Sequence, residues 1–463
     1  MRRTRDLLSI VVVVAAGCRS VADYQPATMP PGPQGLGRAP LPAATAVTAP
    51  PGEGGPAITL EEAIEEALAR APDLRVASEV FVQARADLKT ASLLPNPQVT
   101  ASTTLQPLGY QFTPENPGGP PQYAFDLSQP FDAILFGKRA AAIASARRAV
   151  DVAGADLADV RRRRAADVAA AFLDVLEARA VVDLARVDLD DLRTIQDLTR
   201  QRVELGGSAP VDLDRATLAV ASAAQDLRSA ETAHASALAI LGAFIGRSAP
   251  APVLEVNGRL EVLNPREPPD LELILDAAEA ARPDLVSLRR QVAHWEAEAR
   301  SQRRQALPTL GLQAGYIYQR QQPIAAPNQS EWEASVAMSL PLFDRNQGNV
   351  AKAESQARQA GAGLEAARVA LRAELAQALA AFRAARAGVA AADADQLAAA
   401  RSLKDRMRAA YQAGGRTILE VLDAARAYRD ALRLHTRVHS AYRHALYRLQ
   451  AAAGVPSEKW EAE

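Results

Sequence analysis

From residue 58 onward the chain switches between two hydrophobic periods. Four short stretches place an apolar residue at every second position. In Tyr123-Ala124-Phe125-Asp126-Leu127-Ser128, large side chains alternate with small or polar ones. Leu310, Leu312, Ala314, Tyr316 and Tyr318 alternate with Gly311, Gln313, Gly315 and Ile317, and Trp332, Ala334, Val336, Met338 and Leu340 alternate with Glu333, Ser335, Ala337 and Ser339. Val99, Ala101, Thr103 and Leu105 form a weaker fourth case. Period two predicts strands with one apolar face, and strands of roughly ten residues can cross a bilayer at a tilt. Tyr110, Phe112, Tyr123, Tyr316, Tyr318 and Trp332 gather at these stretches, where an aromatic girdle would place them. Two surface hairpins on a helical bundle would give the same alternation.

Elsewhere the pattern is helical. Residues 140–204 and 350–412 contain no proline, and at 1.5 Å per residue each rod would reach roughly 95 Å. Their seams are Ala, Leu and Val, which implies close helix approach. The rods break at Leu205-Gly206-Gly207 and Ala413-Gly414-Gly415, and return helices are expected over 211–245 and 418–453. The chain is also duplicated. The segment from Glu62 to Ala71-Pro72-Asp73-Leu74 matches that from Leu273 to Arg282-Pro283-Asp284-Leu285, and an offset of about 210 residues holds throughout. The expected organisation is a leader (1–17), a tether (18–57), a first repeat (58–255), a linker (256–269), a second repeat (270–455) and a tail (456–463). Four strands cannot close a barrel around a channel, and open sheet edges are not tolerated in lipid. A membrane-crossing sheet of this kind therefore demands several copies of the chain.

Composition sharpens this picture. The 463 residues are 48% hydrophobic but only 5% aromatic, so alanine carries the apolar fraction, as in helical chains. Lys+Arg is 53 against Asp+Glu 54, which gives no electrostatic reason to expect nucleic acid. A single cysteine excludes an intramolecular disulfide and a Cys-cluster metal site. Arg2, Arg3 and Arg5 precede a short apolar run, Leu7 to Gly17, that is too short to span a bilayer and reads as a signal h-region. It ends in Ala15-Ala16-Gly17-Cys18, which resembles a bacterial lipobox with Cys18 as the lipidated residue. The Pro-, Gly- and Ala-rich stretch that follows reads as a flexible tether.

Two strand pairs, two long helical hairpins, an internal duplication and a lipobox together resemble the TolC-like outer-membrane efflux factor family, over roughly residues 58–455. The most specific local motif is Tyr411-Gln412-Ala413-Gly414-Gly415-Arg416-Thr417-Ile418-Leu419-Glu420-Val421-Leu422-Asp423, with Leu205-Gly206-Gly207-Ser208-Ala209-Pro210-Val211-Asp212 as its counterpart. Asn96-Pro97 and Phe136-Gly137-Lys138-Arg139 look like the heavy-metal-exporter subgroup. The resemblance implies a mainly α fold with a small β part. Duplicated helical hairpins would form an α-barrel tunnel, and four strands per chain would enter a trimeric, twelve-stranded transmembrane β-barrel. It also implies a homotrimer that meets a periplasmic adaptor and an inner-membrane pump. By motif position, Asp212, Tyr411 and Arg416 correspond to a periplasmic gate latch. Glu420 and Asp423 correspond to an acidic ring at the constriction, three residues apart on one helix face. Gly206, Gly207, Gly414, Gly415 and Thr417 correspond to adaptor-docking tip turns.

Catalytic patterns are lacking. There is no H-E-x-x-H, no phosphate-binding loop and no nucleophile elbow. His435 and His439 stand at i and i+4 without a carboxylate or cysteine one turn away, so no metal and no cofactor is expected. The resemblance thus points to a passive outer-membrane exit duct, with heavy-metal cations as the cargo that its subgroup motifs suggest. The competing readings are a non-porous helical lipoprotein with a structural or adhesive role, a periplasmic adaptor, and, last, a metal-binding enzyme.

Overall fold

The structure, a computed structural model, describes residues 57–105, 109, 113, 115–116, 119–247, 254–262, 265–322, 325–392 and 394–454. Cys18, Tyr110, Phe112, Gly118 and Pro323 lie outside the described residues. In chain order the elements are α1 (Leu60–Arg70), α2 (Pro72–Ser92), β1 (Gln98–Thr104), β2 (Gln122–Pro130), α3 (Asp132–Leu135), α4 (Lys138–Glu204) and α5 (Pro210–Ile245), followed by α6 (Leu271–Ala281), α7 (Pro283–Gln305), β3 (Thr309–Gln319), β4 (Gln329–Ser339), α8 (Gln347–Ala391), α9 (Ala394–Gln412) and α10 (Ile418–Ala453). No described helix is long and apolar enough to cross a membrane.

The duplication is visible in the backbone. Ala71 and Arg282 are both extended (ψ 129° and 122°) before Pro72 and Pro283, because a residue preceding proline is pushed out of the α region. This separates α1 from α2 and α6 from α7. The second rod differs from expectation. It is interrupted after Ala391 instead of running unbroken to residue 412. Gly388 lies in the last turn of α8, where its carbonyl accepts the Ala392 N–H at 2.9 Å. The following Asp393-Ala394-Asp395-Gln396 is a helix-start pattern, so the sequence restarts a helix there.

The chain divides into two compact units. The described part of the first comprises Glu79–Ala155 and Ser287–Glu365. It holds one antiparallel sheet in the order β1-β2-β3-β4. Where the strands meet the helices, side chains staple the turns. Lys138 is buried and its Nζ donates to Asp132 Oδ2 (2.8 Å) and to the Pro308 carbonyl (3.0 Å), tying the start of α4 to the start of β3. Arg139 Nε donates to the Ser92 carbonyl at 2.9 Å, which ties it to the end of α2. In the second repeat Asn346 does this work, with Nδ2 donating to the Gln302 carbonyl at 2.8 Å. Gly137 and Asn346 both have positive φ (68° and 58°), one residue before α4 and α8 respectively.

The second unit contains residues 57–78, Asp156–Val286 and the described residues from Ala366. Its main core packs Ile64 and Ala67 of α1 against Val168, Phe172 and Val175 of α4, Leu241 and Ile245 of α5, and Tyr447 of α10. Thr59 opens α1 with a reciprocal cap: its hydroxyl accepts the Glu62 N–H (3.3 Å) while Glu62 Oε2 accepts the Thr59 N–H (2.8 Å). Arg282 is buried and donates to Asp284 through two bonds (3.1 and 2.7 Å), to Glu374 Oε2 and to the Ala452 carbonyl (both 2.7 Å). Burial alone would raise the Asp284 carboxyl, but its bonds to Arg282 outweigh this and hold it below the usual range.

Candidate functional site

Two arrangements carry the chemistry, one in each unit. In the first, strand register sorts the side chains of the sheet into two faces. Val99 pairs with Leu127 and Ala101 with Phe125; Phe125 pairs with Tyr316, which pairs with Trp332; Leu312 pairs with Val336. These rows form one continuous apolar face, and it is uncovered: Val99, Phe125, Val336 and Trp332 are all exposed, Trp332 by 82%. The aromatic side chains lie toward the hairpin-loop end, where Tyr123 meets Tyr318 (6.4 Å between centroids) and Tyr316 meets Trp332 edge-on (5.4 Å). The opposite face is polar. One row runs Thr100, Asp126, Gly315, Glu333, and the next ends in Glu331. Gly315 has a local reason, since a Cβ there would overlap the Asp126 carboxylate. None of the four strands contains a lysine or arginine. β1 and β4 are edge strands, each with one side unpaired in the sheet.

The second arrangement lies where α4 turns into α5 and α9 into α10. Both turns are built alike. Gly206 (φ 73°) donates to the Val203 carbonyl and Gly207 to that of Arg202, while Gly414 (φ 82°) donates to Tyr411 and Gly415 to Ala410. This paired closure is a Schellman motif, and its left-handed residue favours glycine. Tyr411 is buried at the end of α9, and its hydroxyl donates to Thr199 Oγ1 of α4 at 3.1 Å. The Arg202 guanidinium lies over the Tyr411 ring, 4.3 Å from its centroid. It donates to the Tyr411 carbonyl and, at 2.9 Å, to the Gly207 carbonyl, so it ties the two turns together. Sequence reasoning missed Arg202, because a basic residue in the last turn of a helix carries no signal of what it will meet.

Asp212 sits in the first turn of α5, where a carboxylate suits the helix dipole. It accepts from Ser208 Oγ (2.9 Å) and Arg215 Nη1 (3.3 Å). Arg416 donates to Glu420 Oε1 at 2.8 Å, and Glu420 Oε2 accepts the Thr417 N–H at 2.9 Å and its hydroxyl at 3.1 Å. The Thr417 backbone bond, followed by Arg416, holds the Glu420 carboxyl below its ordinary range. Asp423 is exposed and has no ion-pair partner among the described residues. The structure therefore brings Arg416, Thr417 and Glu420 together. Within one protomer it joins neither Asp212 nor Tyr411 to Arg416. Lys404 and Arg429 tie α9 and α10 back to α4 through Asp191 (2.6 Å) and Asp188 (2.9 Å). Among the described residues no cluster of three or more metal-ligating side chains is found.

A model of the outer membrane efflux protein family matches residues 63–247 and 274–455. The cobalt-zinc-cadmium resistance protein CzcC of Cupriavidus metallidurans is 27% identical over 386 residues, covering 81% of this chain and 85% of that protein. Among solved structures, CusC superposes with a TM-score of 0.69 at 21% identity, covering 94% of this chain and 99% of that one. VceC of Vibrio cholerae, an outer membrane protein, superposes at 0.67 with 20% identity, covering 86% and 96%. With most of both repeats matched, and with a two-faced sheet joined to long helical hairpins, this chain belongs to the outer membrane efflux protein family.

Proposed function

We propose that the chain is the exit duct of a tripartite efflux system, a passive channel and not an enzyme. It would form a homotrimer in the outer membrane and take its cargo from an inner-membrane pump through a periplasmic adaptor. The observation that carries this reading is the sheet: one face apolar and uncovered, the other polar, and both edges open. Eleven-residue strands such as β3 and β4 extend about 37 Å and, tilted, match an apolar band about 25 Å tall. Copies must close the sheet edge to edge. Two copies would give eight strands, whose interior side chains just fill; three give twelve and leave a lumen. The polar face would then line the pore, bearing Asp126, Glu331 and Glu333 from each copy with no basic residue in the strands. That lining, together with the likeness to CzcC, supports divalent heavy-metal cations as cargo. Cys18 would anchor the N-terminus in the outer membrane through lipid.

At the hairpin turns, Asp212, Tyr411 and Arg416 are assigned to the gate, Glu420 and Asp423 to an acidic ring, and Gly206, Gly207, Gly414, Gly415 and Thr417 to the surface that meets the adaptor. The test is planar-bilayer conductance of the purified oligomer. Small, cation-selective openings are expected, with larger conductance after Asp212→Ala combined with Arg416→Ala. Folded protein that never conducts and runs as a monomer would overturn the channel. A conducting protein indifferent to the double substitution would overturn only the gate.

A further inference from the structure

A cavity of about 610 Å³ opens at the helical end of the sheet, within the range of roughly 300–1,000 Å³ common for small-molecule sites. Its apolar wall comes from Ile134, Leu135 and Phe136, around the short helix α3, and from Leu307, two residues before β3. Ile134 and Leu135 are exposed, at 58% and 65%. Its charged wall comes from Arg300 and Arg304, one turn apart on α7 and therefore on one helix face. Neither guanidinium has a carboxylate or any hydrogen-bond partner among the described residues, whereas their neighbour Arg303 is paired with Glu354. The cavity also has a definite level. α3 follows β2 directly, and the Phe131 N–H between them donates to the Leu310 carbonyl at 2.8 Å, so the cavity adjoins the last rows of the apolar face, opposite the hairpin loops. At the same end β4 runs out into exposed Leu340, Leu342 and Phe343.

Two unpaired guanidiniums above an apolar recess, continuous with a lipid-facing sheet, complement an anionic amphiphile. Arginine binds phosphate oxygens through a planar fork, and the recess accepts hydrocarbon. We propose that this cavity binds an anionic phospholipid of the periplasmic leaflet, with its phosphate on Arg300 and Arg304 and an acyl chain against Ile134, Leu135 and Leu307. The assignment rests on the reading of the sheet as membrane-spanning. Bound lipid would fix the height of the channel in the bilayer, at the junction where strands become helices.

The test uses the full-length oligomer purified in detergent, incubated with phosphatidylglycerol or with phosphatidylcholine of the same chains and examined by native mass spectrometry. Each preparation is also assayed for conductance. The wild type is expected to retain phosphatidylglycerol in preference to phosphatidylcholine. Arg300→Gln with Arg304→Gln should retain at least about tenfold less, as for loss of charge-assisted bonds, and Leu135→Glu should impair retention independently. Conductance should persist in all three. Equal retention by wild type and both variants, with conductance intact, would overturn the lipid site and leave the channel standing. A disulfide between copies formed by Leu135→Cys with a cysteine on a neighbouring protomer would also overturn it, because the cavity would then be a subunit contact. Loss of conductance in the wild type would instead overturn the channel itself.

Discussion

Tyr411 offers the sharpest test of how the hairpin tips are held. Its ring is 1% exposed, lies beneath the Arg202 guanidinium, and joins Leu189, Leu192, Ile195, Ile418 and Val421 in one apolar cluster. Tyr411→Ala removes an aromatic side chain from that cluster, at about 3–5 kcal/mol, and forfeits a cation–π contact worth about 1 kcal/mol. Tyr411→Phe removes one hydroxyl hydrogen bond, about 1 kcal/mol, and Thr199 keeps its own bond to the Ile195 carbonyl at 2.8 Å. At 1.4 kcal/mol per tenfold change, amide exchange around residues 195–207 and 409–421 should accelerate by about 10³–10⁴ in the alanine variant and about fivefold in the phenylalanine variant, as local opening. Conductance should rise in the first and stay near wild type in the second. Exchange in Tyr411→Ala that matches the wild type would refute the packing argument. Phenylalanine opening the pore as far as alanine would refute it differently, since the hydroxyl would then be acting across a subunit boundary.

Three further outcomes follow from the geometry. Arg282→Ala strands Asp284, which is two-thirds shielded, and Glu374, which is half exposed. Solvent screens the second loss, so the cost should be about 2–4 kcal/mol, at or below the figure for a fully buried pair. Arg282→Ala with Asp284→Ala should recover part of the lost thermal stability, and additive losses would refute the coupling. His439 is buried, its Nδ1 accepts the Val262 N–H at 3.1 Å, and its Nε2 faces that of His435 at 3.1 Å. Burial, then His435 and Arg443, against the opposing Glu261, lower its pKa. The folded state thus binds fewer protons than the unfolded one, and its stabilisation is complete above about pH 6.5 and lost as pH falls below it. The drop in melting temperature between about pH 7.5 and 5.5 should shrink in His439→Gln; an unchanged drop would sink this reading. At the proposed acidic ring, Arg416 already offsets the Glu420 charge at 2.8 Å, while Asp423 has no ion-pair partner among the described residues. Asp423→Asn should therefore reduce cation selectivity more than Glu420→Gln, measured as reversal potential in a salt gradient, and the reverse order would contradict the assignment.

Period two placed the first three strands within one residue of their observed starts and the fourth within three, because a one-residue slip would turn every apolar side chain to the wrong face. The turns at Gly206 and Gly414 were equally legible, since few residues besides glycine take a positive φ without strain. Asn346 was not legible. It takes the same left-handed conformation as Gly137 in the other repeat, but asparagine occurs in many other settings. The break after Ala391 was hidden by an alanine-rich background without proline, in which Gly388 is a weak signal. The direction of Tyr411 was likewise invisible: a motif can name a residue, but its partners Thr199 and Arg202 lie about 210 positions away in sequence.

The two repeats keep one backbone path and spend different side chains on it. Ala71 and Arg282 take the same extended conformation before proline, and Gly206-Gly207 and Gly414-Gly415 close the same turn. After that turn they diverge. The first return helix opens on Pro210, with Asp212 only 21% exposed and held by Ser208 and Arg215. The second opens on Thr417, with Arg416 and Glu420 paired in the open at 50% and 40% exposure. An exposed pair contributes little to stability and exchanges partners at small cost, whereas a shielded, multiply bonded carboxylate does not. Rearrangement at the tips should therefore begin at the α9–α10 hairpin, with the α4–α5 hairpin serving as the fixed wall against which it moves.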